Sequence, residues 1–69
     1  MYVVDLRAQK FHTRKCAVCR AMDTDFVVAL YHVDDDDRER REVTVYAYCA
    51  DHELDAQQKE RDLKVEYEP

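Results

Sequence analysis

Two short pairs constrain this chain more than anything else in it: Cys16-Ala17-Val18-Cys19 and Cys49-Ala50-Asp51-His52, each with two residues between its members. That spacing lets one turn present both side chains to the same point, and the long gap between the pairs lets the two turns come from different elements. Three thiols and an imidazole gathered in this way complete a tetrahedral shell, the donor set of a structural zinc site. The odd count of three cysteines argues in the same direction, because a disulfide framework would leave one thiol over.

A chain of 69 residues forms one domain, spanning 1–69, and needs a staple. A core of this size supplies roughly 3 to 5 kcal/mol, whereas a structural zinc site contributes about 10 to 16 kcal/mol at neutral pH. One structural Zn2+, bound by Cys16, Cys19, Cys49 and His52, is therefore expected to be inseparable from folding. Reduced thiols imply a reducing compartment, and the N-terminal residues show no basic region followed by an apolar run. No stretch reaches bilayer-spanning length. The expectation is a cytoplasmic protein with no membrane partner.

Along the chain, Tyr2, Val4 and Leu6 alternate with Val3, Asp5 and Arg7, the period of a half-buried strand over residues 2 to 7. Gln9 to Lys15 reads as a basic loop leading into the first cysteine pair. Phe26 to Val33 is apolar on both alternating faces and is expected to be the central strand. Asp34 to Glu42 reads as an exposed hairpin tip, since aspartate tolerates turn conformations in a chain without glycine. Val43, Val45 and Ala47 then oppose Thr44, Tyr46 and Tyr48 in a strand that ends at Cys49. Asp51 is the expected N-cap of a helix running to about Asp62, with Leu54 and Ala56 as its main apolar residues and the metal as its main anchor. Leu63 to Tyr67 alternates again and reads as a last edge strand. The predicted fold class is α+β: an antiparallel sheet of about three to four strands with one C-terminal helix.

A knuckle carrying two ligands, a β-hairpin, and a helix whose first turn carries two more resembles the treble-clef zinc fingers over residues 14 to 62. The resemblance implies Cys16 and Cys19 as knuckle ligands and Cys49 and His52 as helix ligands. It departs at the knuckle, where such fingers often have proline within and glycine after the second cysteine, and this chain has Ala17, Val18 and Arg20. A left-handed Arg20 costs on the order of 1 kcal/mol, small beside the metal.

Other readings of the same residues are weaker. A redox Cys16/Cys19 pair needs a helix opening at the motif inside a βαβ unit, and strands flank it instead. His12 and His32 lack the spacing from Cys49 that favours His52 as fourth ligand. A calcium loop starting at Asp34 needs glycine at its sixth position and glutamate at its twelfth, where Glu39 and Val45 stand. Glycine, serine, asparagine, tryptophan and isoleucine are absent, which removes Gly-rich phosphate loops and serine nucleophile motifs. No second histidine cluster surrounds the cysteines, so the chain is not expected to be an enzyme.

The leading functional expectation is a non-catalytic, zinc-stabilised interaction module, a small regulator or inhibitor that docks on a protein partner. Tyr46 and Tyr48 are the candidate partner-binding tyrosines, with Arg38, Arg40 and Arg41 at the hairpin tip. Five tyrosines on a sheet with one thin helix leave a face for a partner or for a second copy in a homodimer, with packing of those tyrosines in the core as the competing explanation. The alternative is a nucleic-acid-binding finger using Lys10, His12, Arg14, Lys15 and Arg20, with Phe11 to stack on a base. The net charge of −5 weighs against that alternative.

Overall fold

The computed structural model describes residues 1 to 68. Three antiparallel strands, β1 (Tyr2–Phe11), β2 (Thr24–Val33) and β3 (Arg40–Tyr48), form one sheet in the order β1-β2-β3. A single 3-10 turn, Ala50–His52, leads into helix α1 (Glu53–Tyr67). The strand that is apolar on both faces is the central one, as the sequence requires, because only that position is flanked on both edges.

Register decides which side chains meet the helix. Val4 pairs with Leu30 and Leu6 with Val28, while Phe26 pairs with Tyr48 and Val28 with Tyr46. Val4, Leu6, Phe26, Val28, Leu30, Tyr46 and Tyr48 therefore share one face, and α1 covers it with Ala56, Leu63 and Tyr67 to close the core. The other face carries Val27, Ala29 and Ala47, all buried without a helix above them. Long neighbours shield it: Arg7 lies beside Asp5 and its guanidinium donates to the Tyr31 hydroxyl.

Two bulges correct the alternation read from the sequence. Between Ala8 and Phe11 the strand β1 holds one residue more than β2, so Lys10 and Phe11 belong to the strand rather than to a loop. Between Thr44 and Glu42 the extra residue is Val43, which falls out of phase with Val45 and Ala47 and is 55% exposed. A bulge adds a residue that a strict period of two does not register.

The last five helical residues are the larger correction. Leu63 to Tyr67 is not a fourth strand but the end of α1. Leu63 lies seven residues after Ala56 and Tyr67 four after Leu63, so all three fall on one helical stripe. Ala56 and Leu63 are buried, whereas Leu54 and Val65 are 79% and 81% exposed. The helix consequently has a second anchor far from the cysteines.

Both outer edges of the sheet are partly closed. Met1 and Val33 exchange backbone hydrogen bonds, which by antiparallel alternation turns the amides of Tyr2, Val4 and Leu6 outward on β1 and those of Val45 and Ala47 outward on β3. The Val4 amide donates to Glu68 Oε1, and the Ala17 amide donates to the Ala47 carbonyl at 2.8 Å. Among the described residues, no backbone bond reaches the outer edge of β3 at Val45.

Candidate metal centre

The knuckle is built by backbone bonds before any ion is considered. The Cys16 amide donates to Ala21 O and the Arg20 amide to Cys16 O, both at 2.9 Å, which folds residues 16 to 21 into a closed turn. Arg20 takes the left-handed conformation, φ 63°, where glycine is otherwise favoured. The Ala17–Ala47 bond then fixes this turn to the end of β3. On the other side, the His52 amide donates to Cys49 O at 3.0 Å, closing the 3-10 turn that brings His52 back over Cys49.

These two turns face each other. Donor atoms of Cys16, Cys19, Cys49 and His52 all lie within 4.8 Å of one another, the one such cluster of histidine, cysteine and acidic residues among the described residues. Cys19 Sγ is 3.6 Å from Cys49 Sγ, and His52 Nδ1 is 3.7 Å from Cys16 Sγ and 3.1 Å from Cys49 Sγ. A tetrahedral zinc with bonds of about 2.3 Å to sulfur and about 2.0 Å to nitrogen has a sulfur–sulfur edge of about 3.8 Å and a sulfur–nitrogen edge of about 3.5 Å. The Cys19–Cys49 and Cys16–His52 edges lie within about 0.2 Å of these values, and the Cys49–His52 edge is contracted to a hydrogen bond. The separation of Cys19 and Cys49 is far beyond the ~2.05 Å of a disulfide, and all three cysteines are free thiols.

Asp51, expected as the helix N-cap, lies inside the 3-10 turn, and His52 occupies the cap position of α1 without a side-chain cap bond. The start of the helix therefore carries a candidate ligand in place of a capping carboxylate. Asp25 supports the same turn, accepting from the Ala50 amide at 3.1 Å.

Electrostatics separates the thiols. Burial raises the Cys16 thiol, but hydrogen bonds from the backbone at Cys19, Cys49 and Val18 and from the Cys19 side chain outweigh it and bring Cys16 down to about 6. Burial, then hydrogen bonding with the Cys19 and Cys16 side chains, pushes Cys49 up to about 11. One thiolate thus rests on a bed of N–H groups, with the Val18 amide 3.5 Å from Cys16 Sγ. A divalent cation bound at these donors would draw the remaining protons off. Tyr48, next to Cys49, is raised by burial and then by the negative charges of Tyr46, Asp55, Cys16 and Asp62.

The other residues singled out in the sequence are dispersed. Tyr46 and Tyr48 sit at the β3 edge beside the knuckle and α1, where they line a groove of about 350 Å³ with Val18, Asp55 and Asp62. Arg38 and Arg40 line a separate hollow at the hairpin tip with Asp34 and Asp35, and Arg41 pairs across the sheet with His32. Of the basic set, Lys10 lies 4.0 Å from Asp25, His12 lies 3.1 Å from Asp23, and Arg14 stacks over the Phe11 ring at 5.3 Å. Lys15 and Arg20 are exposed. Asp55, Lys59 and Asp62 escaped the sequence reading because only the long helix, placed beside β3, turns their side of α1 toward the tyrosines.

No protein-family model, curated protein or solved structure matches this chain. Its fold and site define it as a small α+β domain with a candidate metal site of three cysteines and one histidine.

Proposed function

We propose that this chain is a zinc-stabilised, non-catalytic interaction module, a small regulator or inhibitor that docks on a protein partner. The observation that carries this reading is the place of the four donors, which join the knuckle to the entry of α1. Four protein ligands fill a tetrahedral shell and leave no position for substrate or an activated water, so the ion's work is structural. Zinc is preferred to a harder ion because thiolates are soft ligands. The order of knuckle, hairpin and helix supports a treble-clef-like zinc finger, with a 3-10 turn ahead of the helix as its variation. Free thiols at a metal site favour a reducing, cytoplasmic setting; no helix is long and apolar enough to cross a membrane among the described residues.

One observation keeps a nucleic-acid reading in view. Leu6 to Met22 contains Arg7, Lys10, Arg14, Lys15 and Arg20 and no acidic residue. The carboxylates of Asp23 and Asp25, however, lie against His12 and Lys10, which weakens the patch as a phosphate track. Affinity capture from the native host's lysate, with and without nuclease, separates the two. A protein retained after nuclease treatment supports the module. Capture abolished by nuclease, and by changing Lys10, Arg14, Lys15 and Arg20 together to glutamate, assigns the chain to nucleic acid.

A further inference from the structure

The groove beside the metal centre is floored by Tyr46 and Tyr48, walled on one side by Ala17 and Val18 of the knuckle, and on the other by Asp55, Gln58, Lys59 and Asp62 of α1. Those four helical positions follow a spacing of three, one and three, so they form a single side of α1. Three observations describe what the groove accepts. The ammonium of Lys59 already sits over the Tyr46 ring, 4.3 Å from its centroid, so the ring takes a cation within this chain. Asp55 and Asp62 both line the groove, and neither meets a cation among the ion pairs of the described residues; Asp62 accepts only from the Gln58 amide at 2.9 Å. Tyr48 lines the groove beside Tyr46 with only 5% of its surface exposed, so Tyr46 is the more open of the two rings.

Alongside the groove runs the part of the β3 edge that the Ala17–Ala47 bond does not close. The Val45 amide and carbonyl point outward there, and Val18, at the opposite rim, is 51% exposed. An extended segment laid on this edge continues the sheet past the knuckle and places alternate side chains over Tyr46 and Tyr48.

We propose that this groove binds an extended segment of a partner protein, pairing with β3 at Val45 and seating an arginine or lysine side chain on Tyr46 between Asp55 and Asp62. The inference rests on the interaction-module reading and specifies the chemistry of its partner. Charge complementarity selects a basic segment: two carboxylates and the Tyr46 ring surround one internal cation, and an acidic segment would meet like charge in the same space. Lys59 acts as a place-holder that the incoming cation displaces from Tyr46.

The test uses the full chain with its metal and two blocked pentapeptides, acetyl-Thr-Val-Arg-Val-Thr-amide and the same peptide with glutamate in place of arginine, titrated by amide NMR. The arginine peptide is expected to shift the amides of Val43 to Tyr46 and of Val18, and the glutamate peptide is not. Lys59→Met, which removes the competing cation, is expected to tighten arginine-peptide binding about threefold. Asp55→Asn with Asp62→Asn is expected to weaken it about tenfold. All three positions are on the surface of α1, so the fold survives these changes. Equal response to both peptides, or indifference to the Asp55 and Asp62 changes, overturns the proposal. The same shifts produced by raising the protein concentration alone assign the groove to a second copy of the chain and also overturn it. A partner captured from lysate whose binding ignores Asp55, Lys59 and Asp62 overturns the groove while leaving the interaction module standing.

Discussion

Thr24 is wholly buried at the start of β2, and its hydroxyl is the one buried side-chain polar atom without a partner among the described residues. It lies opposite Phe11, next to the β1 bulge. A buried hydroxyl left unpaired costs about 1 to 3 kcal/mol, and replacing it by a methyl of nearly the same shape removes that cost. Thr24→Val is therefore expected to leave the urea midpoint unchanged or raise it; a marked fall would show that the hydroxyl has a partner in solution. Arg20 offers a second single-residue test, because its φ of 63° costs a residue with a Cβ about 1 to 2 kcal/mol. Glycine recovers that cost but loses roughly 0.5 to 1 kcal/mol of backbone entropy, so Arg20→Gly should be close to neutral. Arg20→Val, which puts a β-branched residue in the left-handed region, should lower stability by more than about 1 kcal/mol in the same assay.

At the scale of elements, the sequence was legible wherever one side-chain period acted alone. The central strand and the two candidate ligand turns follow directly from Phe26 to Val33 and the paired spacings, and the hairpin follows with a shorter tip than Asp34 to Glu42, because Arg40 to Glu42 already pair with β2 as the start of β3. Leu63 to Tyr67 was not legible, because an apolar residue at every second position satisfies a strand while Ala56, Leu63 and Tyr67 together satisfy a helix. Tertiary contact settles the ambiguity: only as a helix does the segment bring Leu63 and Tyr67 onto Val4 and Leu30. The two readings differ in what alanine does. Leu63→Ala should cost about 2 to 4 kcal/mol, since it opens a cavity under the helix, whereas Leu54→Ala and Val65→Ala should fall within about 0.5 kcal/mol of zero. Urea unfolding of the three variants decides it, and a large effect at Val65 would restore the strand. The candidate site was readable residue by residue because its ligands are rare side chains at fixed spacing. The groove was not, since its walls come from elements 30 residues and more apart in sequence, brought together only by the fold.

For the whole molecule, the question is whether the metal holds only the end of α1 or the entire fold. The chain measures 39 × 23 × 15 Å, one sheet and one helix thick, and its second sheet face has no covering layer. A helix so placed has two attachments. At the far end, Leu63 and Tyr67 pack on the sheet and Glu68 accepts from the Val4 amide at 3.1 Å. At the near end, Cys49 and His52 meet the knuckle. The far attachment gives the helix a hold on the sheet that its sparse apolar face does not suggest from sequence alone, so loss of a bound metal would not release the helix by itself. The core shared by both ends is nevertheless small, worth roughly 3 to 5 kcal/mol at this chain length, against about 10 to 16 kcal/mol for a structural zinc. Native mass spectrometry is therefore expected to show one zinc per chain, and exhaustive chelation under reducing conditions to collapse hydrogen-exchange protection throughout β1, β2 and α1 together. Cys16→Ser and His52→Ala should reproduce that loss without chelator. Protection that fails only at residues 16–21 and 49–53 would instead make the sheet and the far end of α1 self-sufficient, with the metal a local clamp. A chain that purifies without metal and keeps full protection would remove the metal from the account of the fold.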